Sequence, residues 1–321
     1  MGIRHLNRFL KDNAKKSIKI VHLSELSEKK IAIDVSIYMY KYASDDCLIE
    51  NMYLMITILR YYNIIPIFIF DGKPPDEKKE LLQKRREDKK EAHEEYCKLK
   101  DQLNLNDNMD EADKQEIISN MDLLKKKFVS ISKNDIENVK LLMRAYGVTY
   151  YDANGEADEL CAMLTIKEKV WACLSEDMDM FVYGCTRVIR YLSLLNHTVV
   201  LYDLKGILDE LDMNQNELRE ICVLSGTDYN IKTKKNINLH NTLKYFNKYK
   251  EEKSIENFYE WLMNNSKYIE DIDLLKKIYE MFDFSKNYVN LKSFENIQII
   301  NGRIEKLKIR EILKKDGFYF P

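Results

Sequence analysis

Two apolar segments that each end in an aspartate constrain the fold of this chain more than any other feature. The first is Lys30–Asp34 (KIAID), the second is Ile64–Asp71 (IIPIFIFD), and a helical pattern over Glu50–Tyr62 separates them. Near-continuous apolar strands that alternate with helices are typical of a parallel sheet covered on both faces. The sequence therefore predicts an α/β fold with a central, mainly parallel sheet.

The α/β pattern is interrupted once and then resumes. Residues 76–127 are dominated by Lys, Glu, Asp and Gln without a strand pattern, which predicts exposed helices with a break at Leu103–Asp110. The elements predicted downstream are a helix over Ser132–Tyr146 capped by Ser132 or Asn134, a strand over Gly147–Tyr151, a helix over Glu156–Lys169, and strands over Val170–Leu174, Arg187–Leu192 and Thr198–Tyr202. Beyond Leu204 the pattern is helical. We therefore expect a helical insertion in the α/β domain and a helical C-terminal region.

Acidic side chains gather where the predicted strands end. They are Asp34, Asp71, the pair Glu176 and Asp177, Asp179 just beyond it, and Glu156 with Asp158 at the start of a helix. Each single acid also fits an ordinary turn or helix cap, but ligands of parallel α/β sheets bind at this edge, and several acids there favour a binding site. Unpaired carboxylates repel one another unless cations neutralise them, and oxygen ligands suit Mg²⁺ or Mn²⁺. The pattern predicts a divalent-metal site that can assist phosphodiester cleavage.

The rest of the sequence excludes several other classes of protein. There is no Gly-x4-Gly-Lys-Ser/Thr loop of a nucleoside triphosphatase, and the five histidines lack the HExxH spacing of zinc proteases. The six cysteines form no CxxC pair and are expected to be reduced thiols of an intracellular protein. No apolar run approaches the ~20 residues of a membrane span. With 51 basic and 53 acidic residues, the total charge does not indicate a nucleic-acid partner, so the local placement of charge matters.

Five short sequence blocks follow one another along the chain: Ile31–Ser36 (IAIDVS), Phe70–Pro75 (FDGKPP), Gly155–Glu159 (GEADE), Ser175–Asp179 (SEDMD) and Leu224–Tyr229 (LSGTDY). In their order and spacing, these blocks resemble those of the flap endonuclease, or xeroderma-pigmentosum-G-like, superfamily of 5′ nucleases. The resemblance implies a PIN-like 5′-nuclease fold in a single nuclease domain. It divides the domain into nuclease regions 1–75 and 131–228, a helical arch at 76–130 and a helical duplex-binding region at 229–321.

The resemblance implies two metal ions, Mg²⁺ or Mn²⁺, held by seven acids. The first set is Asp34, Asp71, Glu156 and Asp158, and the second set is Asp177, Asp179 and Asp228. Asp158 stands where the family usually has glutamate, so one ligand is a methylene shorter while its charge and oxygen donors are kept. The implied reaction is hydrolysis of a phosphodiester by metal-activated water, which leaves a 5′-phosphate and a 3′-hydroxyl.

The resemblance also implies roles in substrate binding. Lys78 and Arg85 lie almost on one helical face, which Lys89 continues, and they correspond to the two basic positions that steer the scissile phosphate. Without the resemblance, this stripe fits a solvated helix with ion pairs. Tyr40 corresponds to an aromatic side chain on which the base beside the scissile bond stacks, and it also fits an ordinary packed tyrosine. Gly2, after removal of Met1, would place a free amino terminus near the active site.

The sequence after Asp228 departs from the family pattern. The family grips duplex phosphates there through a glycine-rich backbone and a bound K⁺, whereas this chain has KTKKNINL at 232–239, which puts the K⁺ site in question. Lys232, Lys234 and Lys235 are candidate phosphate contacts, or else ordinary solvated surface. The C-terminal GFYFP lacks the glutamine of a clamp-binding motif, so recruitment by a sliding clamp is not assumed.

The sequence thus predicts a metal-dependent, structure-specific 5′ flap endonuclease or 5′–3′ exonuclease, in the nucleus or at a cytoplasmic replication site. It is expected to act on flapped, nicked, gapped or branched DNA in replication, repair or recombination, and to read DNA shape rather than sequence. One alternative is a superfamily member that prefers Holliday junctions, bubbles or RNA 5′ ends. The other is a non-catalytic protein that binds branched DNA. The presence of all seven acids argues against this alternative, because a protein that only binds DNA does not need such a concentration of negative charge.

Overall fold

A seven-stranded sheet forms the centre of the computed structural model, which describes residues 3–105, 111–230, 237–252, 256–269, 271–284 and 297–318. The strands are β1 (Ile18–His22), β2 (Lys30–Asp34), β3 (Ile65–Phe70), β4 (Thr149–Asp152), β5 (Ala172–Leu174), β6 (Arg187–Ser193) and β7 (Thr198–Asp203). Their order is β1-β7-β6-β5-β2-β3-β4. The strands from β6 to β4 are parallel, whereas β7 runs antiparallel to β6 and β1 antiparallel to β7. The prediction of a mainly parallel sheet is confirmed.

Helices pack on both faces of this sheet, and the described ranges contain further helices in an insertion and in the C-terminal region. They are α1 (Leu6–Asn13), α2 (Val35–Ser44), α3 (Leu48–Tyr61), α4 (Lys79–Leu105), α5 (Glu111–Lys127), α6 (Lys133–Tyr146), α7 (Ala157–Ile166), α8 (Asp179–Tyr183), α9 (Leu204–Leu211), α10 (Gln215–Ser225), α11 (Leu239–Glu252), α12 (Phe258–Asn265), α13 (Ile272–Met281) and α14 (Lys306–Lys315). Alternate residues of a strand point to opposite faces. Accordingly, Ala32 and Ile67 join one hydrophobic cluster with α7, α8 and α10, whereas Ile33 and Phe68 join a second cluster with α2, α3 and α6. No helix in these ranges is long and apolar enough to cross a membrane.

Local chemistry accounts for the boundaries of α6. The Ser132 hydroxyl accepts from the backbone N–H of Asp135, whose carboxylate accepts from the backbone N–H of Ser132, so Ser132 and not Asn134 is the cap. Gly147 ends the helix with a φ of 62°, a conformation that favours glycine. A Cβ at Gly147 would also lie 2.7 Å from the carbonyl oxygen of Arg303. The C-terminal segment can therefore approach the edge of the sheet closely here.

Local sequence patterns miss α1, β1 and α2. Strand β1 lies at the edge of the sheet and is largely exposed apart from Val21, so it lacks the apolar run of the central strands. Helix α2 begins at Val35 directly after β2, without a polar segment to mark its start. Pairing with β7 stabilises β1, and burial of Tyr38 and Met39 on the sheet stabilises α2. These elements depend on contacts that are distant in sequence.

The charged insertion consists of α4 and α5, which pack against each other. The predicted break at Leu103–Asp110 falls mainly on residues 106–110, which lie outside the described residues. Lys125 pairs with Asp46, and Lys126 Nζ lies 3.1 Å from Asp45 Oδ1. These two ion pairs connect the end of α5 to the turn between α2 and α3.

Candidate active site

The seven predicted metal ligands lie together at the carboxyl edge of the parallel strands. They are Asp34 at the end of β2, Asp71 after β3, Glu156 and Asp158 at the start of α7, Asp177 after β5, Asp179 at the start of α8 and Asp228 after α10. All except Asp179 line one cavity of about 470 Å³. Asp179 adjoins the cavity, because its backbone N–H donates to Asp177 Oδ1 at 3.0 Å. The topology of the sheet thus brings together acids that lie far apart in the sequence.

The Asp71 side chain is fixed by the loop that leads into α7. Its Oδ1 accepts a hydrogen bond from the backbone N–H of Ala157 at 2.8 Å, so Asp71 caps a helix distant in sequence. Gly72 makes this approach possible, since a Cβ at this position would lie 1.9 Å from the carbonyl oxygen of Ala153. The backbone N–H of Gly72 also donates to the carbonyl oxygen of Gly155 at 2.7 Å. The FDGKPP and GEADE blocks therefore form one structural unit.

The two residues before Asp177 have structural roles that the sequence analysis does not assign. Ser175 is fully buried, and its hydroxyl donates to Asp34 Oδ2 at 3.1 Å and accepts from the backbone N–H of Asp177 at 3.1 Å. Ser175 therefore orients two of the acids at once. Glu176 instead accepts from the backbone N–H of Tyr191 in β6 at 2.6 Å. Of the acidic pair, Asp177 lines the cavity while Glu176 holds the neighbouring strand.

Burial makes this concentration of negative charge costly. Burial, and then repulsion from Asp71 and Asp177, raises the pKa of Asp34 from 3.8 to about 7. Burial and the neighbouring carboxylates also raise the pKa values of Asp158 and Asp179 well above their ordinary range. Without a compensating cation, these groups are driven toward their neutral forms.

Two buried carboxylate oxygens, Asp158 Oδ1 and Asp179 Oδ1, have no hydrogen-bond partner among the residues that the structure describes. A buried acceptor without a donor costs free energy, and a hard divalent cation is the partner that oxygen-only ligand sets favour. The residues present therefore fit Mg²⁺ or Mn²⁺. In the same described ranges, no three His, Cys, Asp or Glu side chains are already arranged to hold a metal ion. Instead, cationic side chains form ion pairs with two of these acids, Glu156 and Asp228.

Lys78 and Arg85 act as counter-charges in the cavity. Lys78 Nζ lies 2.5 Å from Glu156 Oε1 and 3.9 Å from Asp228 Oδ2, and Arg85 Nη2 lies 2.9 Å from the same Asp228 oxygen. Burial by itself lowers the pKa of Lys78, but the charge of Glu156, its hydrogen bond and the charges of Asp158 and Asp228 together outweigh burial, so the pKa is raised overall. The ammonium group therefore stays charged although only 7% of Lys78 is exposed. Both predicted steering residues contact predicted metal ligands directly.

Tyr40 and Lys89 line the same cavity. Tyr40 is 45% exposed, and Lys89 Nζ lies 5.0 Å from the centroid of its ring. Lys89 also donates to the carbonyl oxygen of Val129 at 2.8 Å. These contacts place both side chains beside the acids, while their roles in DNA binding stay predictions. Four other predicted DNA contacts lie outside the described residues: Gly2, Lys232, Lys234 and Lys235.

Tyr229 is a residue of the site to which the sequence analysis assigns no role. Its hydroxyl donates to Glu156 Oε2 at 2.6 Å, and its ring centroid lies 5.4 Å from Lys78 Nζ. The available signal was its position in the LSGTDY block, directly after Asp228. That position does not reveal the partner of its hydroxyl.

Sequence comparisons match this chain to known nucleases. The XPG N-terminal domain model matches residues 1–92, and the XPG I-region model matches residues 147–228. Flap endonuclease 1 of Glycine max is 32% identical over 71% of this chain, which spans only 62% of that protein's length. Flap endonuclease 1 of Meyerozyma guilliermondii is 30% identical over 83% of this chain and 71% of its own length.

Solved structures share the architecture of the chain. The catalytic core of Rad2 superposes with a TM-score of 0.64 at 21% identity, covering 98% of this chain and 94% of its own. Human GEN1 in complex with Holliday junction DNA gives a TM-score of 0.60 at 19% identity, covering 98% of this chain and 73% of its own. At these identities the likeness establishes the fold alone, and the predicted PIN-like α/β fold is confirmed.

Proposed function

The chain belongs to the flap endonuclease (XPG) family, and from this premise we propose that it is a structure-specific 5′ nuclease that hydrolyses DNA phosphodiesters. The observation that carries the proposal is the single cavity in which six carboxylates face Lys78 and Arg85. Phosphodiester cleavage needs cations that hold an anionic substrate and stabilise the charge that develops on the leaving oxygen. Metal ions bound by the carboxylates and the side chains of Lys78 and Arg85 would together supply this positive charge.

Two Mg²⁺ or Mn²⁺ ions are the proposed cofactors. The first would be held by Asp34, Asp71, Glu156 and Asp158, and the second by Asp177, Asp179 and Asp228. Bound there, such ions activate a water molecule and stabilise the leaving oxygen. One buried oxygen on Asp158 and one on Asp179 have no hydrogen-bond donor among the described residues. These two oxygens support the assignment of Asp158 to the first ligand set and of Asp179 to the second. We propose no K⁺ site, since residues 231–236 lie outside the described residues.

Lys78 and Arg85 would exchange partners when DNA binds. In the DNA-free protein they neutralise part of the charge of Glu156 and Asp228. A scissile phosphate is an anion that can take both cations, Lys78 as a compact point charge and Arg85 through its planar fork of donors. The exposed ring of Tyr40, in contact with Lys89, offers a surface on which the base beside the scissile bond can stack. The ion pairs thus hold the steering groups where the phosphate would arrive.

The proposed substrate is DNA with a 5′ flap, nick, gap or branch, cleaved during replication, repair or recombination. We propose that residues 76–130, which include α4 and α5, form an arch that admits a 5′ single strand, and that residues 229–321 grip the adjoining duplex. The Rad2 catalytic core has been solved with a DNA substrate and human GEN1 with Holliday junction DNA. These family members support branched DNA as the substrate class.

The first test is cleavage of end-labelled DNA by the purified chain, with Mg²⁺ and with EDTA. The substrates are a 5′ flap, a nick, a gap, a bubble, a four-way junction and a single strand, together with an RNA strand bearing a 5′ end. We expect Mg²⁺-dependent incision near the base of the flap. Preference for junctions, bubbles or RNA would keep the active site but change the substrate to that of another superfamily member. Tight binding of branched DNA without any cleavage would favour a non-catalytic DNA-binding protein.

A further inference from the structure

Two donors from distant parts of the chain hold Glu156. Its Oε1 is paired with Lys78 Nζ at 2.5 Å, and its Oε2 accepts from the Tyr229 hydroxyl at 2.6 Å. Lys78 lies 78 residues from Glu156 in sequence, and Tyr229 lies 73 residues from it on the other side. Because both oxygens of the carboxylate are engaged, the orientation of Glu156 is fixed in the DNA-free protein.

The two donors differ in how firmly they are held. Lys78 carries a flexible side chain whose ammonium group also lies 3.9 Å from Asp228 Oδ2, and the proposed function requires it to turn toward DNA. The Tyr229 ring is held by aromatic packing, with its centroid 5.6 Å from that of Phe282 at an angle of 74°. Phe282 in turn packs on Tyr183, with the centroids 4.7 Å apart. Tyr229 is therefore the fixed donor and Lys78 the exchangeable one.

In the DNA-free protein, the Tyr229 ring also contacts the ammonium group of Lys78. The ammonium nitrogen lies 5.4 Å from the ring centroid, within the range of cation–π attraction. When Lys78 moves to a phosphate, Glu156 loses one donor, and in the described structure Tyr229 is the donor that remains. Without that hydroxyl, the carboxylate could change its side-chain rotamer at the step in which its position matters.

We propose that Tyr229 is a positioning residue that keeps Glu156 in its ligating orientation while Lys78 leaves the carboxylate for DNA. This inference rests on the proposed function, in which Glu156 belongs to the first ligand set. Groups that hydrogen-bond to a metal ligand orient it, and their removal typically weakens metal binding by about 10–100-fold. The packing of Tyr229 on Phe282 links this orientation to the C-terminal helical region.

The substitution Tyr229→Phe tests the proposal, because it removes the hydroxyl and keeps the ring with its contacts to Phe282 and Lys78. We expect the substitution to lower the Mn²⁺ affinity about 10-fold in a Lys78→Gln background, in which Glu156 has already lost the donor that DNA would take; electron paramagnetic resonance of unbound Mn²⁺ measures this affinity. With Lys78 present and no DNA bound, the loss should be smaller, because Lys78 still holds Oε1 of Glu156. The Mg²⁺ concentration that gives half-maximal single-turnover cleavage should rise by a similar factor, while saturating Mg²⁺ restores most of the rate. Tyr259→Phe is the matched control, since the Tyr259 hydroxyl donates to the backbone carbonyl oxygen of Glu220 at 2.9 Å. In the same Lys78→Gln background, the control should leave the Mn²⁺ affinity unchanged.

A double-mutant cycle separates positioning from a general loss of stability. In a Glu156→Ala background, Tyr229→Phe should cause no further loss of Mn²⁺ affinity, because the group that it positions is gone. In the Lys78→Gln background, an unchanged Mn²⁺ affinity on addition of Tyr229→Phe, or equal losses with Tyr229→Phe and Tyr259→Phe, would overturn the positioning role alone. A wild-type protein that neither binds Mn²⁺ nor cleaves any substrate would overturn the proposed function itself, and the positioning role with it.

Discussion

The acidic floor of the cavity, which consists of the seven predicted metal ligands, and its basic wall, which consists of Lys78, Arg85 and Lys89, are held by different kinds of contact. Backbone N–H groups anchor two acids of the floor: that of Ala157 donates to Asp71, and that of Asp179 donates to Asp177. The wall consists of long side chains: Lys78 and Arg85 form ion pairs with Glu156 and Asp228, and Lys89 donates to the carbonyl oxygen of Val129. Backbone hydrogen bonds leave little freedom, whereas lysine and arginine side chains keep many rotamers.

This difference indicates which part is organised before the substrate arrives and which part adapts to it. Because the floor lies at strand ends and helix starts, its ligand groups are kept in place, and stabilisation of the charge that develops in the transition state requires such fixed groups. A wall of paired cations can exchange one anion for another at little cost in structure. We therefore expect substitutions in the floor to abolish cleavage and substitutions in the wall to slow it. Substitutions in the ion pairs between α5 and the turn after α2 should change the cleavage rate least.

The largest effect is expected for Asp177→Asn, which keeps the shape of a floor residue and removes its charge. Single-turnover cleavage of a bound 5′ flap should fall on the order of 10³-fold or more, because a metal ligand is lost. Flap binding in Ca²⁺, measured by fluorescence anisotropy, should be retained because a repelling charge is removed. Glu176→Gln, at the adjacent acid that bonds to Tyr191, should cleave at nearly the wild-type rate. Near-wild-type cleavage by Asp177→Asn would contradict the assignment of the floor.

A smaller effect is expected for Lys78→Gln in the wall. The loss of one cation that faces the scissile phosphate should lower the single-turnover rate by about 10²–10³-fold. Mn²⁺ affinity should stay the same or increase, since Glu156 loses a competing cation, and this is opposite to the result expected for the floor. Lys79→Gln is the matched control, because Lys79 is exposed and pairs with Asp76 at 3.0 Å. Weaker Mn²⁺ binding by Lys78→Gln would remove the distinction between floor and wall.

The floor should also make the stability of the metal-free protein depend on pH. Burial and repulsion raise the pKa of Asp34 from 3.8 to about 7, so the folded protein holds this proton more tightly than the unfolded chain. The contribution to the free energy of unfolding is therefore present at low pH and is lost as the pH rises through about 7. Mg²⁺ competes with protons for the carboxylates, so its effect on the melting temperature should be larger at about pH 8 than at about pH 5. Differential scanning fluorimetry measures this shift, and Asp34→Asn should reduce its pH dependence.

The smallest effect is expected at the connection between α5 and the turn after α2. Lys125 is partly exposed and Lys126 is exposed, and ion pairs at the protein surface typically contribute less than about 1 kcal/mol. Replacing both with Gln should leave the melting temperature nearly unchanged and should speed hydrogen–deuterium exchange in α5. Lys90→Gln, which removes an ion pair within α4, is the control. A large loss of cleavage in the double variant would show that the insertion is as strictly organised as the floor.

Local sequence was sufficient to predict the elements that carry the floor. An apolar run that ends in a carboxylate, as in β2 with Asp34 and β3 with Asp71, places that carboxylate at the carboxyl edge of a parallel sheet. The helical face shared by Lys78 and Arg85 is also a property of local spacing. The roles of these residues came from the resemblance of the five sequence blocks, and α1, β1 and α2 escaped prediction because tertiary contacts define them.

The sequence by itself determined the apolar strands β2 and β3, the acids at their ends and the basic stripe of the insertion, because each depends on residues that are close in the chain. Only the tertiary structure decided which groups meet: Asp71 with the start of α7, Lys78 with Glu156, and Tyr229 with the other oxygen of that carboxylate. These partners are separated by more than 70 residues, as the 73 between Glu156 and Tyr229 illustrate. Their meeting depends on how the helices pack on the sheet, and no local pattern of residues encodes that packing.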